Sequence, residues 1–147
     1  MVMKIMFVGL IMLAASCQSA RQTSSFGGGS EKLYAHAWTL IDVEGQAVTP
    51  TGTERDAQLL FSTPNRVAGS TGCNRLTGTF ELTCTNTIHF SPLATTRMMC
   101  PDSQTEARFT KALAAVDTYL VTDSSLTLSK GKTVVARFRA SQPQAGN

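Results

Sequence analysis

The residues best equipped for chemistry are four cysteines (Cys17, Cys73, Cys84 and Cys100), two histidines (His36 and His89) and a few carboxylates. A zinc site asks for closely spaced ligand pairs such as Cys-x2-Cys. Cys84 and His89 straddle a turn and Cys73 or Cys100 could join them, but no tight pair occurs, so the expectation is no metal and ordinary strand histidines. Nucleophilic catalysis would show a Gly-x-Ser-x-Gly elbow, and metal-assisted hydrolysis a His-Glu-x-x-His helix; neither is present. A glycosidase-type acid–base pair would need two converging carboxylates. Glu81, Asp102 and Glu106 are the candidates, with plainer roles as a solvated face (Glu81) and as helix caps (Asp102, Glu106). The run Gly27-Gly28-Gly29-Ser30 lacks both the Gly-Lys-Ser/Thr ending and the preceding strand of a phosphate loop. The chemistry-bearing residues thus point to a non-enzyme without a cofactor.

Cys17 is different because of what precedes it. Lys4 supplies a cationic start, residues 5–15 are apolar throughout, and Ser16-Cys17 follow, which is the layout of a secretory signal peptide. As a helix the apolar run would reach only about 17 Å, too short for a bilayer core of about 30 Å. Leu13-Ala14-Ala15-Ser16-Cys17 resembles a bacterial lipobox, in which the thiol is acylated, the leader is cut before the cysteine, and the new amine is acylated. Ala14 stands three residues before Cys17, where leucine is usual. One acyl chain anchors marginally and two or more anchor well. Gln18, rather than aspartate, follows the cysteine, and the resemblance then implies the periplasmic face of the outer membrane.

Without residues 1–16 the 147-residue chain keeps 131, the size of one domain. Losing Lys4 lowers the formal charge from +3 to +2. The arginines are scattered among acidic residues, whereas a nucleic-acid binder gathers positive charge on one face; nucleic acid is not an expected partner. Residues 17–32 carry the lipidated cysteine and a Gly/Ser/Gln/Thr-rich stretch too polar to offset chain entropy, read as a flexible tether. Residues 33–140 form the folded head, and 141–147 a frayed tail.

Within the head, β-forming runs alternate with turn signals. Strands are expected at residues 37–43, 57–61, 66–69, 77–82, 87–90, 126–128 and 133–138, with turns at Glu44-Gly45, Pro64-Asn65, Thr85-Asn86 and Lys130-Gly131. One stretch has helical spacing: Phe109, Leu113, Val116 and Leu120 recur on one stripe, and Ser103-Gln104-Thr105-Glu106 reads as a capping box. A helix over about 104–118 should lay that stripe on the sheet. The fold class is α+β: a small antiparallel sheet, curled towards a barrel, with one helix packed against it. Glycines 69, 72 and 78 lie where the sheet would bend. Gly72, Cys73 and Asn74 should shape a tight loop, with Asn74 in a turn-capping role.

Two segments carry a wider likeness. The first is residues 67–80, with Gly69, Gly72-Cys73-Asn74-Arg75 and Gly78; the second is residues 93–100, with Thr95-Thr96-Arg97-Met98-Met99-Cys100. Trp38 leads them and Leu126-Thr127-Leu128 follows. Over residues 36–139 the chain resembles the META domain of the HslJ-like lipoprotein family. That resemblance implies a non-catalytic envelope module linked to outer-membrane stress, antibiotic tolerance, secretion or motility, with no reaction established for the fold. It also implies a disulfide between Cys73 and Cys100, one in each motif, leaving Cys84 over; Cys73–Cys84 is the rival pairing. Asn74 and Gly72 then belong to the motif loop, and Arg75, Thr95 and Arg97 are the polar residues expected to face a partner. The expected partners are the membrane, through the lipid, and an unidentified envelope protein or ligand. Other roles that suit a small envelope lipoprotein are a secretin pilot, which needs an apolar groove beside the helix, and a periplasmic lysozyme inhibitor.

Overall fold

The structure is a computed structural model describing residues 29–83 and 85–142. The leader, Cys17, most of the expected tether, Cys84 and residues 143–147 lie outside the described residues. The chain opens with helix α1 (Ser30–Ala35), inside the stretch expected to be tether. Leu33 of α1 is fully buried, and its carbonyl accepts a 2.9 Å hydrogen bond from the Trp38 indole. That bond gives a buried Trp N–H its partner and fixes how the chain enters the first strand.

Ten strands follow the expected pattern with three additions. They are β1 (Ala37–Val43), β2 (Gln46–Ala47), β3 (Gln58–Ser62), β4 (Arg66–Ser70), β5 (Arg75–Leu82), β6 (Ile88–Phe90), β7 (Ala94–Thr95), β8 (Thr118–Val121), β9 (Ser125–Lys130) and β10 (Thr133–Ser141). All the pairings are antiparallel, in the order β6-β5-β4-β3-β1-β10-β9-β8, with β2 on β1 and β7 on β5. The two ends of this sheet meet. The Ile88 N–H donates to Asp117 O at 3.1 Å, and the Tyr119 N–H to Asn86 O at 2.9 Å. The sheet is therefore a nearly closed barrel, which removes the exposed edges that invite aggregation.

Period-two alternation decides what fills it. In β3, Leu59 and Phe61 point inward and are buried while Leu60 between them is 38% exposed. The core gathers Trp38, Leu40, Phe61, Phe80, Leu128 and Phe138. Glu44 (φ 49°) and Gly45 (φ 77°) both take left-handed geometry, which a two-residue hairpin loop between β1 and β2 requires.

Helix α2 (Ser103–Ala115) covers the barrel, burying Phe109, Ala112 and Leu113; the Phe109 and Phe138 rings lie 5.9 Å apart. It ends three residues before the expected 118. Val116 is extended at ψ 143° and Thr118 begins β8, so Leu120 leaves the expected helical stripe and stands 61% exposed on a strand. The expected capping box is also replaced. Asp102 is the N-cap: its Oδ1 accepts from the Gln104 and Thr105 amides at 3.1 and 3.3 Å, and its Oδ2 from the Thr105 hydroxyl at 2.8 Å. With the cap at 102 the reciprocal position falls on Thr105, and Glu106 is released to face inward.

These hydrogen bonds make a prediction. The Thr105 hydroxyl, then the Thr105 and Gln104 amides, hold the Asp102 carboxyl below its ordinary value of 3.8, with the Arg108 charge assisting. A depressed native value means the cap contributes fully above that ordinary value and is lost as the pH falls through the native one. Asp102→Ala should therefore lower Tm at neutral pH, and the gap to wild type should close in strong acid. Thermal melts across a pH series read this directly.

Candidate functional site

The two motif segments meet around one side chain, Asn74, which is 3% exposed. The loop before it is a tight four-residue turn: the Thr71 amide donates to Asn74 O at 2.8 Å, and the Asn74 amide donates to Thr71 Oγ1 at 3.1 Å. Gly72, at φ 101°, makes the turn possible, since that backbone region penalises any Cβ. The turn presents the Asn74 carboxamide to the second segment. Its Oδ1 accepts from the Met98 amide at 2.7 Å and the Thr96 hydroxyl at 2.8 Å. Its Nδ2 donates to Glu106 Oε1 and Oε2 at 2.8 and 3.1 Å and to Met98 O at 3.3 Å. A carboxylate can only accept, so the amide cannot be turned over without setting oxygen against oxygen.

Asn74 thus joins three separate stretches: the β4–β5 turn, the 95–100 segment and helix α2. Cys73–Cys100 adds a covalent tie between the first two, with Cα atoms 6.0 Å apart. The backbone completes the joint, with Thr96 N donating to Arg75 O and Arg75 N to Thr96 Oγ1, both at 3.0 Å. The Thr71 hydroxyl lies 3.0 Å from Glu106 Oε1, giving the carboxylate a second neutral donor. Among the described residues no buried side-chain nitrogen or oxygen lacks a hydrogen-bond partner. The cluster is a closed lock.

Of the residues expected in the loop and partner surface, Asn74 is buried in the lock, whereas Gly72, Arg75, Thr95 and Arg97 are exposed. Arg75 and Thr95 lie together, since Thr95 pairs with Leu76 across β5 and β7. Thr71, Thr96, the Met98 backbone and Glu106 are lock members that the sequence reading did not single out for this role. Glu81 takes no part in the lock: it sits on β5 opposite His89 of β6. Among the described residues no three His, Cys, Asp or Glu side chains gather as metal ligands would.

Beside the lock runs a groove of about 530 Å³ between α2 and residues 90–95. Phe90, Pro92 and Leu93 form one side, Thr110 and Ala114 of α2 the other, and Glu106 belongs to its wall. Gly78 helps this shape: a Cβ there would come within 2.5 Å of Leu93 Cδ2, so the bare glycine lets the Leu93 side chain lie against β5 where a larger residue would push it aside. A second depression, of about 570 Å³, lies on the outer face of the barrel and includes Arg55, Arg75, Leu60 and Met98. Met98 is 61% exposed and Met99 fully so.

A nearly closed antiparallel barrel, one covering helix and a disulfide-backed lock between two motif loops define a small α+β barrel class. The family model described as META domain matches residues 31–142. The chain belongs to the META domain family. No curated protein matches the sequence. A protein solved by NMR is 27% identical, with a TM-score of 0.58 over 74% of this chain and 92% of the other. A Burkholderia xenovorans protein, also solved by NMR, is 22% identical, with a TM-score of 0.61 over 86% and 98%. A DUF4847-family protein from Bacteroides vulgatus, seen in a crystal structure at 1.00 Å, is 17% identical, with a TM-score of 0.57 over 78% and 99%. The last two likenesses concern the fold alone.

Proposed function

We propose that this chain is an exported, lipid-anchored envelope protein whose META head binds rather than transforms. The anchor is Cys17, acylated after removal of residues 1–16, and the head faces the periplasm from the outer membrane, supporting envelope integrity under stress or antibiotic challenge. The observation that carries the binding role is the contrast between the two halves of the site. The Asn74 carboxamide is spent on partners inside the lock, while the groove next to it stays open and more apolar than polar, with the Glu106 carboxylate in its wall. A reacting centre brings together a nucleophile, acid and base poised towards substrate; the locked carboxamide offers none of these, and Glu106 is the one ionisable side chain among the described residues of the groove wall. A pilot role would need room for a partner's amphipathic helix, itself ~10 Å across and several turns long. A groove of about 530 Å³ suits a single small ligand better.

The anchor is tested by intact-mass analysis of the chain isolated from the membranes of the cell that makes it. The expected species lacks residues 1–16 and carries three acyl chains on Cys17, and it partitions with the outer membrane. A retained leader, or a bare Cys17 thiol in a freely soluble product, contradicts the reading.

A further inference from the structure

Glu106 is not fully used by the lock. A carboxylate has about four lone-pair sites; here Asn74 Nδ2 and Thr71 Oγ1 supply neutral donors only. The ion pairs among the described residues are Lys32–Asp123, Lys111–Glu44 and Arg137–Asp42, so no basic side chain among them neutralises Glu106. Its negative charge therefore stands in the wall of a groove whose apolar surface comes from Leu76, Phe90, Pro92, Leu93 and Ala114. Opposite charges attract more strongly beside apolar walls than in open water, and charge-assisted hydrogen bonds are about twice as strong as neutral ones. The Asn74 and Thr71 bonds also hold the carboxylate in place beforehand, so little ordering remains to oppose binding.

From this we infer that the groove is a binding site for a small amphipathic cation: a primary ammonium head on Glu106, with an apolar chain or ring laid against Phe90, Pro92 and Leu93. The inference rests on the binding role proposed above and names the ligand chemistry of that site. The groove volume lies within the usual range for small-ligand sites, about 300–1,000 Å³. Thr95 on the groove wall offers a hydroxyl for a second polar group on the ligand, while the Thr110 hydroxyl donates to Glu106 O at 2.9 Å and can only accept.

The test uses the full-length, nitrogen-15-labelled chain in non-ionic micelles. It is titrated with 2-phenylethylammonium, with 2-phenylethanol and phenylacetate as probes of matched shape, and followed by amide NMR. The ammonium should move the Leu93, Thr110 and Ala114 signals saturably and bind at least about tenfold more tightly than the alcohol, the size expected for one charged hydrogen bond. Phenylacetate should leave those signals unmoved. Glu106→Gln, whose amide oxygen can still accept from Asn74, should bring the ammonium down to the alcohol's affinity. Ala114→Phe, which fills the groove away from the lock, should abolish binding of both. Variants and wild type are compared in the same micelles, so partitioning of the probes cancels. Equal binding of ammonium and alcohol to wild type would make the groove a plain apolar docking face and overturn the inference, as would an unshifted spectrum. Both results leave the Cys17 anchor standing, and a retained leader leaves the groove standing, so the two claims fail separately.

Discussion

Asn74→Ala should destabilise the head by about 2–3 kcal/mol, read as a shift in the midpoint of urea unfolding. The size follows from what the side chain leaves behind. Removing it takes from Glu106 its principal donor and strands the Met98 amide and the Thr96 hydroxyl. A lost hydrogen bond to a charged group costs about 1.5–3 kcal/mol, whereas Thr96 and Met98 are exposed, so water replaces much of what their polar groups lose. For a small domain with ~5–15 kcal/mol in total, that is a large share. Asn74→Asp sharpens the test. It sets a carboxylate where Nδ2 now meets Glu106 at 2.8 Å, so at neutral pH the loss should exceed that of alanine. Acid should narrow the gap to wild type, because the contact is restored once one of the two carboxyls takes up a proton.

The second large effect concerns the covalent tie. Reduction of Cys73–Cys100, or replacement of both cysteines by serine, should cost about 3–4 kcal/mol on the chain-entropy model for a sequence separation of 27. The readout is the urea midpoint with and without reductant. The disulfide and the Asn74 amide hold the same two segments together, so the two losses should not add: once residues 95–100 are released, little remains for the second change to remove. Limited proteolysis should then cut near Met98-Met99, already the most exposed apolar pair of the site.

The strands and the covering helix were legible because burial on one side imposes a period, two in β3 and near four in α2. The stripe failed at Leu120, where a helical spacing continues by coincidence into β8 and only pairing with β9 decides the matter. Strands β2 and β7 have two residues each and no period to read. Asp102 caps the helix as its residue type allows, but Ser103 is an equally competent cap, and the choice of Asp102 moves Glu106 from a local partner to one more than thirty residues away. Asn74 was legible as a turn residue, and it is one. Its second role joins segments 22 to 32 positions apart, which local propensity does not encode. The groove was illegible for the same reason, since it depends in part on Leu93 lying against the bare backbone of Gly78. Cys73–Cys100 was reached only through the likeness of the two motifs to a family, because three cysteines in one head admit more than one pairing.

Asn74 and Glu106 act as one unit that braces the motif loops and shapes the groove. A double-mutant cycle on urea stability, using Asn74→Ala, Glu106→Ala and the pair, measures that link, since each single change removes the contact. A coupling of about 1.5–3 kcal/mol is expected. Single-variant losses that sum to that of the pair within about 0.5 kcal/mol would mean the two side chains act independently, and would contradict it.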